Sequence, residues 1–361
     1  MWDVDKIKQQ RKYVVQKLKT CSDPLERERL EFSFCTYHNI LENGLVKNMK
    51  ISKFLMNAVT RGNFSCKKEE DCEKILAKLI LNKENYLDND YFNFLIDIAR
   101  NVCDSLDDSS RFIAFYEMDN DYDGLTKMSQ KFYEDLGNSE ILKFSNEFFS
   151  KDSNFQFNES YSGFNDNMCQ GLTFFDPVFD TAYCSVIKNN CIFDYLAVNH
   201  EIMHYIDFKI GKKFHANNYY GFHEVPTYTI DFLFMDFLEE QGFGEDVKDI
   251  RKDRASYFKN LVSPFIPLFI NSSIKSINKY NDISFDMFKK LLEIESFVIS
   301  YILYERIKQD KEKGLDDLVE FMKTSLPKDK KPDFSFIGIS DDDILAASCD
   351  IEFFFSKDRN R

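Results

Sequence analysis

Three observations predict a mostly α-helical fold with one small β-sheet. Glycine and proline are scarce, 12 and 7 in 361 residues, so little interrupts long helices. Apolar residues recur at helical spacing over most of the chain. One stretch, residues 154–190, departs from that spacing. It mixes Phe155, Phe157, Tyr161, Phe164, Leu172, Phe174 and Phe175 with Gly, Asn and Ser, and ends in the apolar run Ala182–Ile187 before Lys188-Asn189-Asn190. That pattern reads as short strands.

In chain order, a helical hairpin is predicted from Trp2 to about Leu45, with Val14, Val15, Leu18, Leu25, Leu30 and Phe32 on its apolar stripes and Ser22-Asp23-Pro24 as the break. Helices follow over 51–59, 69–81, 90–106, 109–115, 125–136 and 140–151. After the strands come a helix over 195–208, with Asp194 as its cap, and one from near Pro226 to Gln241. Further helices are expected over 247–261, 264–279, 284–310, 315–324 and 341–348. No internal repeat or low-complexity linker is visible.

The chain is 43% hydrophobic and 16% aromatic, with 38 Phe and 18 Tyr, so the core must be rich in rings. A formal charge of −14 argues against nucleic acid or an anionic membrane as partner, since both call for basic patches. No apolar stretch approaches membrane-spanning length. The opening Met1-Trp2-Asp3-Val4-Asp5-Lys6 has no apolar run, and the nine cysteines show no paired spacing, Cys66 and Cys72 included. A cytoplasmic setting with reduced thiols is therefore expected.

The chemistry centres on Asn199-His200-Glu201-Ile202-Met203-His204. On a helix, His200 and His204 lie one turn apart on one face, so both imidazoles can reach one small cation. Glu201 lies beside them and can take a proton from water there without ligating the ion. Two neutral nitrogens and a carboxylate base at this spacing suit a catalytic zinc site, which needs a third protein ligand and an open position. Glu224, twenty residues after His204 at the head of the next helix, is the leading candidate; His215 and His223 compete for the place. The strand before the metal helix can either offer a free edge to an extended peptide or be an ordinary buried strand.

Residues 168–208, then 224–237, resemble the oligoendopeptidase F branch of the thimet-type zinc oligopeptidases. A Gly/aromatic strand pair leads into H-E-x-x-H, and Glu224-Val-Pro-Thr-Tyr-Thr-Ile-Asp231 has a glutamate followed seven residues later by an acid. Phe297-Val-Ile-Ser-Tyr301-Ile-Leu resembles the family's tyrosine-bearing helix. The resemblance implies one Zn²⁺ per chain on His200, His204 and Glu224, with Glu201 as general base and Tyr301 as donor to the oxyanion. Asp231 would reach a ligating histidine from behind, and His223 would orient Glu224 or touch substrate. It implies a helical fold with residues 1–150 forming one wall of a channel and 151–361 the catalytic region, within one domain or two. The implied substrates are short unstructured peptides. Three positions depart from the family. Met203 replaces a usual Gly, Val298 stands where a second Tyr is expected, and Phe288-Lys289-Lys290 offer no histidine upstream of Tyr301. A peptidase-like protein that keeps the metal but only binds peptides is the rival reading.

Overall fold

The computed structural model describes residues 3–42, 89–106, 118–150, 155–159, 171–211, 222–266, 285–326 and 331–355. The helices expected over 51–59, 69–81 and 109–115, most of that over 264–279, and His215 lie outside the described residues.

The chain starts with the expected hairpin, α1 (Val4–Leu18) and α2 (Pro24–Glu42). Asp3 caps α1 by accepting the Lys6 amide at 3.0 Å, and Asp23 does the same for Glu26 at 2.7 Å, with Pro24 in the first turn where no amide is needed. Next come α3 (Asn89–Ser105), α4 (Tyr122–Leu136) and α5 (Ser139–Phe149). Gly137, at φ 78°, ends α4 in the left-handed region, and the side chain of Asn138 immediately caps α5.

Three strands form one sheet in the order β1-β3-β2: β1 (Phe155–Glu159), β2 (Gly171–Asp176) and β3 (Thr181–Lys188). β1 runs parallel to β3 and β2 antiparallel to it. β3 is therefore the central strand, and its buried run Ala182–Val186 fits that place. The free-edge alternative is corrected: both edges of β3 are taken. Asp176 closes the β2–β3 turn by accepting the amides of Val178 and Phe179 at 3.1 and 3.3 Å. It also accepts the hydroxyls of Ser33 and Tyr37, which ties the turn to α2.

Two buried helices follow. In α6 (Phe193–Gly211) nearly every residue from Phe193 to Ile210 is inaccessible, and in α7 (Glu224–Glu240) the same holds from Val225 to Leu238. A helix apolar all round belongs inside a protein, and α6 lies against the sheet on one side and α7 on another. Asp194 does not cap α6. It sits in the first turn and accepts the amides of Asn189 and Asn190 at 2.8 and 2.9 Å and Asn120 Nδ2 at 3.0 Å. The reason is steric order: the helix begins two residues earlier than its apolar pattern suggests, so the carboxylate fastens the preceding turn instead. Met203 and Val298, two of the three departures from the family pattern, are both fully buried packing residues.

Helix α8 (Gly244–Val262), the long α9 (Phe285–Gln309), α10 (Lys311–Lys323), α11 (Asp341–Asp350) and the short α12 (Glu352–Phe355) complete the described chain. α11 opens on a capping box between Ser340 and Asp343, while α12 had no counterpart in the sequence reading. One hydrophobic cluster extends from Ile7 to Phe354. Rings carry much of it: Phe297 stacks on Phe258 at 3.4 Å between centroids and meets Tyr228 and Phe232 edge-on. Among the described residues, no helix is long and apolar enough to cross a membrane.

Candidate metal centre

Packing α6 against α7 decides where the polar groups of two apolar helices meet. His200 and His204, one turn apart on α6, hold their rings 4.8 Å apart and nearly perpendicular. Glu224 opens α7 directly opposite. Its Oε2 lies 3.3 Å from His200 Nε2 and 3.6 Å from His204 Nε2. The three ligand atoms all fall within 4.8 Å of one another, and this is the group among the described residues able to hold a metal. Two atoms each about 2.0–2.1 Å from one tetrahedral ion sit about 3.3–3.4 Å apart. The nitrogen-to-carboxylate separations therefore fit a zinc-sized cation.

Asp231, two turns along α7, accepts from His200 Nδ1 at 3.0 Å through Oδ2. That contact favours a proton on Nδ1 and would leave Nε2 as the nitrogen available to a cation. His223 touches the other oxygen of Glu224, Nε2 to Oε1 at 2.9 Å, and its ring lies 5.6 Å from that of His204. Of the two competitors for the third ligand, His223 thus props Glu224.

Electrostatics mark the same spot. Burial disfavours charge on His200, but Asp231 and Glu224 outweigh it and hold its pKa well above the ordinary value. His204, buried with weaker compensation, is pushed down to about 3. Glu224 is opposed by burial, yet His204, His223 and His200 hold it well below the usual carboxylate range. A carboxylate-rich pocket thus imposes positive charge on the imidazole between its acids, and a cation at Nε2 answers the same need.

Glu201 is 4% exposed, and burial lifts its carboxyl to about 7. β2 holds it in place. Thr173 Oγ1 donates to Glu201 Oε2 at 2.5 Å, and a Cβ on Gly171 would stand 2.5 Å from Oε1. A side chain at position 171 would push the Glu201 carboxylate out of this place. Residues 171 and 173 share one face of a strand, so the period of two is the signal that could have exposed this pair.

Other neighbours could not be read from spacing. Tyr228 brings its ring within 6.0 Å of His200, and its hydroxyl donates to Glu293 at 3.1 Å. Arg254 of α8 reaches Asp231. Tyr301 is 7% exposed, and its ring stacks on Tyr304 and meets Phe354 edge-on. Both neighbours belong to a cluster around Asp236, further along α7.

No protein-family model and no curated protein matches the chain. Solved structures do. Over 95% of its length the chain is similar to an oligoendopeptidase F from Bacillus anthracis, with 10% identity, 69% of that chain covered and a TM-score of 0.53. A second oligoendopeptidase F structure gives 12% identity over 70% of its chain at a TM-score of 0.54. PZ peptidase A, solved with an inhibitor, gives 10% identity over 71% of its chain at 0.51. The expected fold is confirmed: the chain is mostly helical, with a small β-sheet ahead of its H-E-x-x-H helix, and it has the fold of the oligoendopeptidase F structures.

Proposed function

We propose that this chain is a zinc-dependent peptidase that hydrolyses bonds in short unstructured peptides. The observation that carries the reading is the convergence of His200, His204 and Glu224 on one point, with the buried carboxylate of Glu201 beside it. When bound there, a zinc ion supplies a Lewis acid that polarises a peptide carbonyl and makes water more acidic. Glu201 accepts the proton of the attacking water and passes it to the leaving amine; a carboxyl poised near neutral pH suits both transfers. Thr173 and Gly171 keep its oxygens in one orientation, and Asp231 does the same for the His200 ring. His223 stays in the proposal as the residue that steadies Glu224.

The sheet offers a place for the peptide. Among the described residues β2 pairs with β3 on one side only, and the same strand carries the contacts to Glu201. An extended peptide added along β2 lies beside the base. A cytoplasmic setting, short peptides as partners and the absence of nucleic-acid or membrane partners belong to the same proposal, on the sequence grounds given above.

Tyr301 is the proposed oxyanion donor on the resemblance. Val298 and Phe288-Lys289-Lys290, which offer no second phenol or imidazole near it, favour the second reading, a protein that binds peptide and metal with little turnover. A quenched-fluorescence peptide library, assayed with and without a chelator and after zinc is restored, separates the two. Chelator-sensitive cleavage is the expected result, with a decapeptide cut much faster than casein. A folded, zinc-loaded protein that cuts nothing overturns the peptidase reading.

A further inference from the structure

Asp231 brings a carboxylate into a nearly closed site, with 2% of its surface exposed. Its Oδ2 faces His200 Nδ1, and a metal-ligating imidazole must be neutral, so this partner cannot balance the charge. A buried carboxylate without a counter-ion is costly. Among the described residues, Asp231 has one other ion-pair partner: Arg254, whose Nη2 stands 3.6 Å from the same Oδ2. The guanidinium is held there by its helix. Phe258, one turn further along α8, is fully buried, stacks on Phe297 and meets Tyr228 edge-on. Tyr228 in turn lies against His200. α8 is thereby packed against both α7 and α9, which brings the Cα of Arg254 within reach of Asp231.

We infer that Arg254 is a positioning residue for the metal centre: by pairing with Asp231 it keeps that carboxylate aimed at His200 Nδ1, and so raises the affinity of His200, His204 and Glu224 for a divalent cation. The inference rests on the metal reading above and adds a member that contacts none of the ligands. The chain of action runs from Arg254 through Asp231 to His200 and then to the ion. Its competitor is a plain packing role, in which the guanidinium only fills space beside Tyr257 and Tyr228.

The experiment is a zinc competition titration against a chromophoric chelator at one fixed pH. It compares wild type, R254M, R254K, D231N and the D231N/R254M double variant. Partners of metal-ligating histidines are typically worth about 10–100-fold in affinity, and R254M, acting one residue further out, is expected to weaken zinc binding about 10-fold. R254K should recover most of that loss. The double variant should bind no more weakly than D231N alone, because Arg254 acts only through Asp231. Should R254M fail to fold, R254Q is read in its place. Wild-type zinc affinity in the uncharged variant, whatever its melting temperature, overturns the inference; so do losses that multiply in the double variant. A wild type that binds zinc and shows the expected cycle but cleaves no peptide overturns the peptidase reading and leaves Arg254 where it is placed. A wild type that holds no zinc overturns the metal centre, and this inference with it.

Discussion

The two ends of α7 carry buried polar clusters that differ in one respect. Near the C-terminal end, Asp236 accepts from Arg251 Nη2 at 2.8 Å, from Lys308 Nζ at 2.8 Å and from the Tyr304 hydroxyl at 2.7 Å. Arg251 also reaches Glu239 and lies over the ring of Phe354. Two carboxylates meet two cations, and the cluster is electrically closed. Toward the N-terminal end, Asp231, five residues earlier, and Glu224, twelve residues and about 18 Å earlier, join Glu201 around three imidazoles and a single guanidinium. On the proposed reading a further cation completes that cluster. Burial of polar groups is common to both ends; a set of ligand atoms converging on one point is what marks the proposed metal centre.

The sharpest way to break the comparison is to open each cluster in turn. H200A, H204A and E224A should each empty the site of its one zinc per chain, read by elemental analysis, while R251M keeps the metal. A full site in E224A, emptied instead by H215A, would falsify the ligand assignment. E201Q should keep zinc and fold but lose about 10²–10⁴-fold in kcat, since an amide cannot take the proton of water. Turnover near the wild-type rate would place the base elsewhere.

On the closed side, R251M should cost about 1–3 kcal/mol of stability, because it leaves buried Asp236 with only Lys308 and the Tyr304 hydroxyl and takes a partner from the part-exposed Glu239. A melting temperature within a degree or two of wild type would show that the cluster is looser than its distances imply. Y301F stands between the two regions. As the proposed oxyanion donor it should lower kcat by about 10²–10³-fold, with KM, zinc content and melting temperature unchanged. A lower melting temperature with kcat per folded molecule intact assigns Tyr301 to the Asp236 cluster instead.

The smallest effect concerns a third buried carboxylate. Glu295 is 1% exposed, accepts the Tyr91 hydroxyl at 2.7 Å, and is pushed by burial from 4.5 up to about 8. The folded protein thus holds this proton more tightly than the unfolded chain. Glu295 therefore removes stability progressively as pH rises from about 4.5 to about 8. E295Q should abolish that component: the variant's melting temperature should gain on wild type by a few degrees across this window and level off above it. Parallel curves for the two proteins would show that the carboxyl titrates normally.

Much of this protein was legible before any folding. The helical hairpin broken at Pro24, the helices from α3 to α5 and from α8 to α11, and the one-turn spacing of His200 and His204 depend on neighbours within a turn or two. Caps such as Asp3, Asp23 and Asn138 are equally local. What required the tertiary structure is of another kind. β3 became the central strand because β1 and β2 both found it, a pairing that no single strand encodes. Asp194 turned back to the amides of Asn189 and Asn190, inside the protein, once α6 began at Phe193. Thr173 reached Glu201 across 28 positions and Arg254 reached Asp231 across another helix, while Tyr301 came to rest among Tyr304 and Phe354. Periodicity and capping act over the few residues that share a helical turn or strand pair, and chain connectivity fixes those neighbours in advance. Contacts between α6, α7, α8 and the sheet are chosen by which buried faces fit together, and that choice exists only in the packed molecule.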